Sequence, residues 1–129
     1  MANQDDVRRI ALSLPATMEA EEHFAFAVLN KGEQKGFAWV WLEHVEARQP
    51  RVPNPEVLAV RVTDRSEKES LLASDEAKFF TEPHYDSYPA VLVRLAAIDT
   101  DELQELLTDA WRCMAPRTLV KAFDQRAES

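Results

Sequence analysis

Residues 79–120, FFTEPHYDSYPAVLVRLAAIDTDELQELLTDAWRCMAPRTLV, hold the most densely patterned part of the chain. A polar, aromatic segment His84-Tyr85-Asp86-Ser87-Tyr88-Pro89 reads as a turn, and Val91–Leu95 after it as an apolar strand. Asp99 with Glu102 makes a helix cap, since a short acidic side chain can accept from the backbone N–H three residues on. Leu103, Leu106, Leu107, Ala110, Trp111 and Met114 then recur at helical spacing as far as Pro116. A last helical turn or two is expected over 117–125. A strand followed directly by a long amphipathic helix sets the theme of an apolar helix face laid on a sheet.

The chain upstream repeats that theme. Val7, Ile10, Ala11 and Leu14 share one face of a helix over 4–14, with Asp5 and Asp6 in its first turn and Pro15 ending it. Residues 16–23 read as an acidic connector. Phe24 to Leu29 alternates as a strand with Phe24, Phe26 and Val28 on one side, and Asn30 to Gly36 reads as a hairpin turn. Its partner, Phe37 to Leu42, places Phe37, Trp39 and Trp41 on one face and Ala38, Val40 and Leu42 on the other. Both faces are apolar, which predicts a central strand covered on both sides. Glu43 to Glu56 carries Pro50, Pro53 and Pro55 and reads as a long loop with frayed strand extensions at its base, because proline removes backbone donors. Val57–Val62 is a further strand, Ser66 and Glu69 suggest a capping box for a short helix over 67–73, and Lys78–Thr81 is a short extended piece. The order predicts a single α+β domain over 1–129, an antiparallel sheet with helices packed against it.

Composition narrows the chemistry. The 129 residues carry 15 Lys and Arg against 23 Asp and Glu, a net charge of −8 that disfavours tight nonspecific binding to phosphates. Two glycines, Gly32 and Gly36, exclude a Gly-rich phosphate cradle, and the lone Cys113 excludes an internal disulfide. No apolar run reaches the ~20 residues of a membrane span, and MANQDDVRRI lacks the basic start and apolar core of a signal peptide, so a cytoplasmic protein is expected. His23, His44 and His84 share no ligand spacing, so no metal or other cofactor is expected. Glu82, Asp86 and Ser87 flank His84 too closely in sequence to converge on it as a catalytic triad does. Cys113 reads as a packing residue, and the chain as a non-enzymatic module.

The His84-Tyr85-Asp86-Ser87-Tyr88-Pro89 element, the Ala115-Pro116-Arg117 exit and the Lys35-Gly36-Phe37-Ala38-Trp39 strand together resemble the MmcQ/YjbR family. Ser87 stands where that family commonly has glycine, and Arg117 where many relatives carry lysine. The resemblance implies a double-wing α+β fold and DNA as a partner. In such an arrangement hairpin tips and strand surfaces approach the nucleic acid. The phosphate contacts it suggests are therefore Lys31 and Lys35 in the hairpin turn, Arg48 and Arg51 in the Pro-rich loop, Arg61 and Arg94 on strands, and Arg117 and Lys121 near the C-terminus.

A different class of function is also open. His84, Tyr85 and Tyr88 could line a pocket, with Arg94 on the next strand supplying charge for a small ligand or a protein partner. The same tyrosines could equally brace the turn over the sheet, with their hydroxyls tied to backbone. Trp39, Trp41 and Trp111 could act as base-stacking platforms, but their spacing within apolar elements favours core packing.

Overall fold

The computed structural model describes residues 2–43, 52–85 and 87–128. Among these, the chain forms helix α1 (Gln4–Ser13), strands β1 (Thr17–Glu19), β2 (Ala25–Asn30), β3 (Glu33–Glu43) and β4 (Val52–Arg61), and helix α2 (Arg65–Ser74). Strands β5 (Phe79–Phe80) and β6 (Ala90–Arg94) and helices α3 (Thr100–Met114) and α4 (Arg117–Glu128) complete it. The strands make one six-stranded antiparallel sheet in the order β1-β2-β3-β4-β6-β5. The expected α+β class and helix-on-sheet arrangement hold.

One face of the sheet meets α1 and α3. Val7, Ile10 and Ala11 from α1 and Leu103, Leu107, Ala110 and Trp111 from α3 join Phe26, Val28, Leu58, Val60, Val91 and Val93 in a single buried cluster. Trp111 is fully buried, donates its indole N–H to the Pro15 carbonyl at 3.0 Å and packs against Phe123 of α4. The caps work as their residue types dictate. Asp99 accepts from the Glu102 N–H at 2.8 Å, and Asn3 and Asp6 form a reciprocal capping box on α1.

Several expectations need correction. The supposed connector contains β1, because Thr17–Glu19 pairs with the free edge of β2 and Glu19 takes a two-pronged bond from Arg8 at 2.8 and 3.0 Å. The hairpin turn is only Lys31-Gly32, with Asn30 opposite Glu33, so residues 33–36 belong to β3. Phe37 does not share a face with Trp39. The register shifts so that Phe26 pairs with Ala38 and Ala27 with Gly36, and the extra residue Phe37 turns into the same core as Ala38. The strand extensions expected at the base of the Pro-rich segment are present and paired: β3 reaches Glu43 and β4 begins at Val52, with Leu42 opposite Pro53. Strand β6 pairs with β4 only from Val57 onward, so Pro53 and Pro55 lie where β4 has an open edge. Residues 44–51, including Arg48 and Arg51, lie outside the described residues. Helix α2 starts at Arg65 on an Asp64 cap rather than at Ser66, and α4 runs to Glu128.

Lys31 and Gly32 both have positive φ, 54° and 82°, as a two-residue turn between twisted strands demands. A side chain with Cβ pays in strain there, about 1–2 kcal/mol. Lys31→Asn is expected to raise the urea midpoint, by about 0.5–1 kcal/mol of stability, because asparagine tolerates this conformation. An unchanged or lowered midpoint refutes the assignment.

Candidate functional site

The face of the sheet opposite α1 and α3 is built differently. Val57, Ala59 and Leu92 form its floor, and Trp39, Trp41, Phe80 and Tyr85 pack over them. Strand alternation puts these residues together: Trp39 pairs with Ala59, Ala59 with Leu92 and Leu92 with Phe80 in one row across the sheet. Trp39 and Trp41 are therefore not part of the main core. Both are half-buried, because what covers this face is the tyrosine turn rather than a long helix.

The turn is tightly tied. Its backbone closes through Tyr85 N–H to Glu82 at 2.8 Å and Tyr88 N–H to Tyr85 at 3.0 Å. Trp39 donates its indole N–H to the Tyr85 hydroxyl at 3.2 Å. Tyr88 stands edge-on to both Trp39 and Tyr85, at ring separations of 6.1 and 6.0 Å. The decisive anchor is Lys68, only 4% exposed, whose ammonium donates to the carbonyls of Tyr85 and, at 2.8 Å, Tyr88. Sequence reading passed over Lys68. A signal existed: it lies three and four residues before Leu71 and Leu72, which pack against the core, so helical spacing puts it on the buried side of α2.

Arginines stand at both ends of this face. Arg61 donates to the Tyr88 hydroxyl at 3.1 Å with its guanidinium 5.3 Å from the ring centroid. Arg94 stacks 4.1 Å from the Phe80 centroid and donates to the Glu76 carbonyl at 3.0 Å. Among the described residues neither guanidinium has a carboxylate partner. A cleft of roughly 390 Å³ opens beside Arg94, walled by Trp41 and Phe80 and edged by Asn54 and Glu56. The structure thus brings Tyr85, Tyr88, Arg61 and Arg94 to one surface. The side chain of His84 lies outside the described residues.

The other basic candidates sit elsewhere. Lys35 pairs across the hairpin with Val28, which places it on the helix-covered face, and its ammonium meets Glu33 at 2.8 Å. Lys31 at the hairpin tip, Lys35 and Arg117 border a cleft of about 590 Å³ between the hairpin and the start of α4. Arg117 and Lys121 line a neighbouring groove with Arg112, which is held by Asp109 and Asp124 at 2.9 and 2.7 Å. The sheet therefore separates Arg61 and Arg94 from Lys35 and Arg117, and the described candidates make no single basic face.

Cys113 is half-buried, with its sulfur 3.2 Å from the Thr63 hydroxyl, and burial pushes its thiol up from the ordinary range. That is the opposite of nucleophile activation. The described residues hold no group of three or more His, Cys, Asp or Glu placed to bind a metal ion. Among them, no helix is long and apolar enough to cross a membrane.

The fold and the tyrosine turn define the class. Residues 12–113 match the YjbR family model, and the chain belongs to that family. Two relatives, from Mycobacterium tuberculosis H37Rv and Mycobacterium bovis, are each 40% identical over 129 residues, covering 95% of this chain and 96% of theirs. Both carry the description "uncharacterized protein". A crystal structure of a Deinococcus radiodurans protein with a DUF419 domain has the same fold, with a TM-score of 0.64 and 22% identity. That match covers 86% of this chain and 77% of the other.

Replacing Lys68 by methionine keeps the length of the buried side chain but leaves two carbonyls without their donor. The expected cost is about 2 kcal/mol in a urea titration, with a changed near-ultraviolet circular dichroism signal from the packed tyrosines and tryptophans. A variant as stable as the parent, with the same aromatic signal, rules out this anchoring role.

Proposed function

We propose that this protein is a non-catalytic binding module whose open sheet face takes ligands that combine a planar ring with an anionic group. Nucleotides, free or within a single strand, are the chemical class with both. The observation that carries the reading is the cleft beside Arg94: aromatic walls from Trp41 and Phe80 next to a guanidinium with no carboxylate partner among the described residues. A ring stacked on such a wall gains about 1–3 kcal/mol, and a phosphate near Arg94 adds a charge-assisted hydrogen bond. The net charge of −8 keeps the affinity modest and salt-sensitive.

Thymidine monophosphate and a short oligothymidylate test this directly, because Trp39 and Trp41 report on the face. Quenching of tryptophan fluorescence at 50 mM salt is expected, with affinity reduced about tenfold in Arg94→Ala, the equivalent of one charged contact. Absence of quenching by both ligands would sink the proposal.

Duplex DNA, the partner that the family resemblance implies, is the second reading. What favours it is the grouping of Lys31, Arg117 and Lys121 with Lys35 around the hairpin tip and the start of α4. On that reading log affinity for a duplex falls with log salt at about −0.9 per phosphate, and Arg117→Ala removes about one unit of slope. On the leading reading, the duplex binds more weakly than the single strand and Arg117→Ala changes nothing.

A further inference from the structure

The cleft at Arg94 accounts for one end of the open face. The other end is furnished in the same way. Tyr88 is 42% exposed, with Leu12 and Leu29 one of the large apolar side chains left to solvent among the described residues, yet it is not loose. Lys68 holds its carbonyl, Trp39 and Tyr85 brace its ring edge-on, and the Arg61 guanidinium lies over one face of the ring, which leaves the other face for a ligand. An aromatic ring both exposed and held in place costs little entropy to stack upon.

The two ends are too far apart to serve one phosphate. Val57 pairs with Arg94 and Arg61 with Ala90, so the arginines are separated by the four residue steps from Val57 to Arg61 along β4. At the rise of a β-strand that is roughly 13 Å. Neither guanidinium is free to swing across, since Arg61 is tied to the Tyr88 hydroxyl and Arg94 to the Glu76 carbonyl. Alternation keeps Val57, Ala59 and Arg61 on the same side of β4, so both arginines address one continuous surface with the half-buried Trp39 between them.

We infer that the face holds a run of single-stranded nucleic acid, with one base and phosphate at Trp41–Phe80–Arg94 and another at Tyr88–Arg61. This rests on the nucleotide reading above and adds the length and form of the ligand. Unpaired bases are required, because rings stacked and paired within a duplex cannot lie against these aromatic side chains.

Affinities of thymidine monophosphate and of oligothymidylates of increasing length, read by tryptophan quenching, test the inference. Affinity is expected to rise about tenfold or more once the strand spans both ends. The log–log salt slope should roughly double from about −0.7, the value for one phosphate contact on a single strand. In Arg61→Ala and in Tyr88→Leu the ratio of oligomer to monophosphate affinity should fall towards one. Unchanged urea midpoints would certify that these variants fold. Monophosphate binding with no gain from length, or a gain that survives both substitutions, overturns the second subsite while leaving the nucleotide reading intact. Failure of every ligand to bind overturns both.

Discussion

The buried indole of Trp111 is the contact on which the rest of the molecule depends. It sits on the apolar stripe of α3, reaches back to the Pro15 carbonyl between α1 and β1, and packs against Phe123 of α4. One side chain thus joins the first helix, the last helix and the helix-covered face of the sheet. Its N–H finds an acceptor, so the largest residue of the core is buried without an unpaired donor. With α1 and α3 committed to one face, the opposite face has to be finished by something smaller.

That something is the turn carrying Tyr85 and Tyr88, and its physics differs from that of the core. Beyond its ring contacts it is secured by directed bonds: Trp39 to the Tyr85 hydroxyl, Arg61 to the Tyr88 hydroxyl, and the Lys68 ammonium to two carbonyls. A buried lysine is tolerable only where its charge is met by well-placed acceptors, and the closed turn presents two of them. The result is a rigid aromatic surface that remains partly wet. Rings that are fixed but not fully covered are the precondition for recognising another ring.

Charge placement sharpens the contrast. The chain has fewer cations than anions, and several described cations are engaged by acids: Arg8 by Glu19, Lys78 by Glu102, Arg112 by Asp124. Glu102 holds the Lys78 ammonium above its usual range, and Asp124 does the same for the Arg112 guanidinium. Such pairs add little stability at the surface, but they remove those cations from the set available to a ligand. Arg61 and Arg94 form no such pair among the described residues: rings and carbonyls are their direct contacts, and Glu56 only edges the cleft at Arg94.

Local pattern carried most of the architecture. The α3 stripe with its Asp99 cap, the α1 face, and the strand at Val91 depend on periodicity and capping, which act within a few residues, and they stand where the sequence puts them. The misreadings came where pairing partners decide. Thr17–Glu19 became a strand because β2 had a free edge, and Phe37 changed faces through a bulge. The site followed the same division. Tyr85, Tyr88 and Arg94 were legible as chemistry, and the approach of Lys68 and Arg61 was not, because each lies more than 15 residues from the tyrosines it holds. By itself the sequence determined the α+β class, the long helix and the tyrosine turn, since these rest on local spacing. Which tryptophans are core, and which cations lack an acid and which face lacks a covering helix among the described residues, were decided only by tertiary structure, because each depends on what a strand or helix distant in sequence covers.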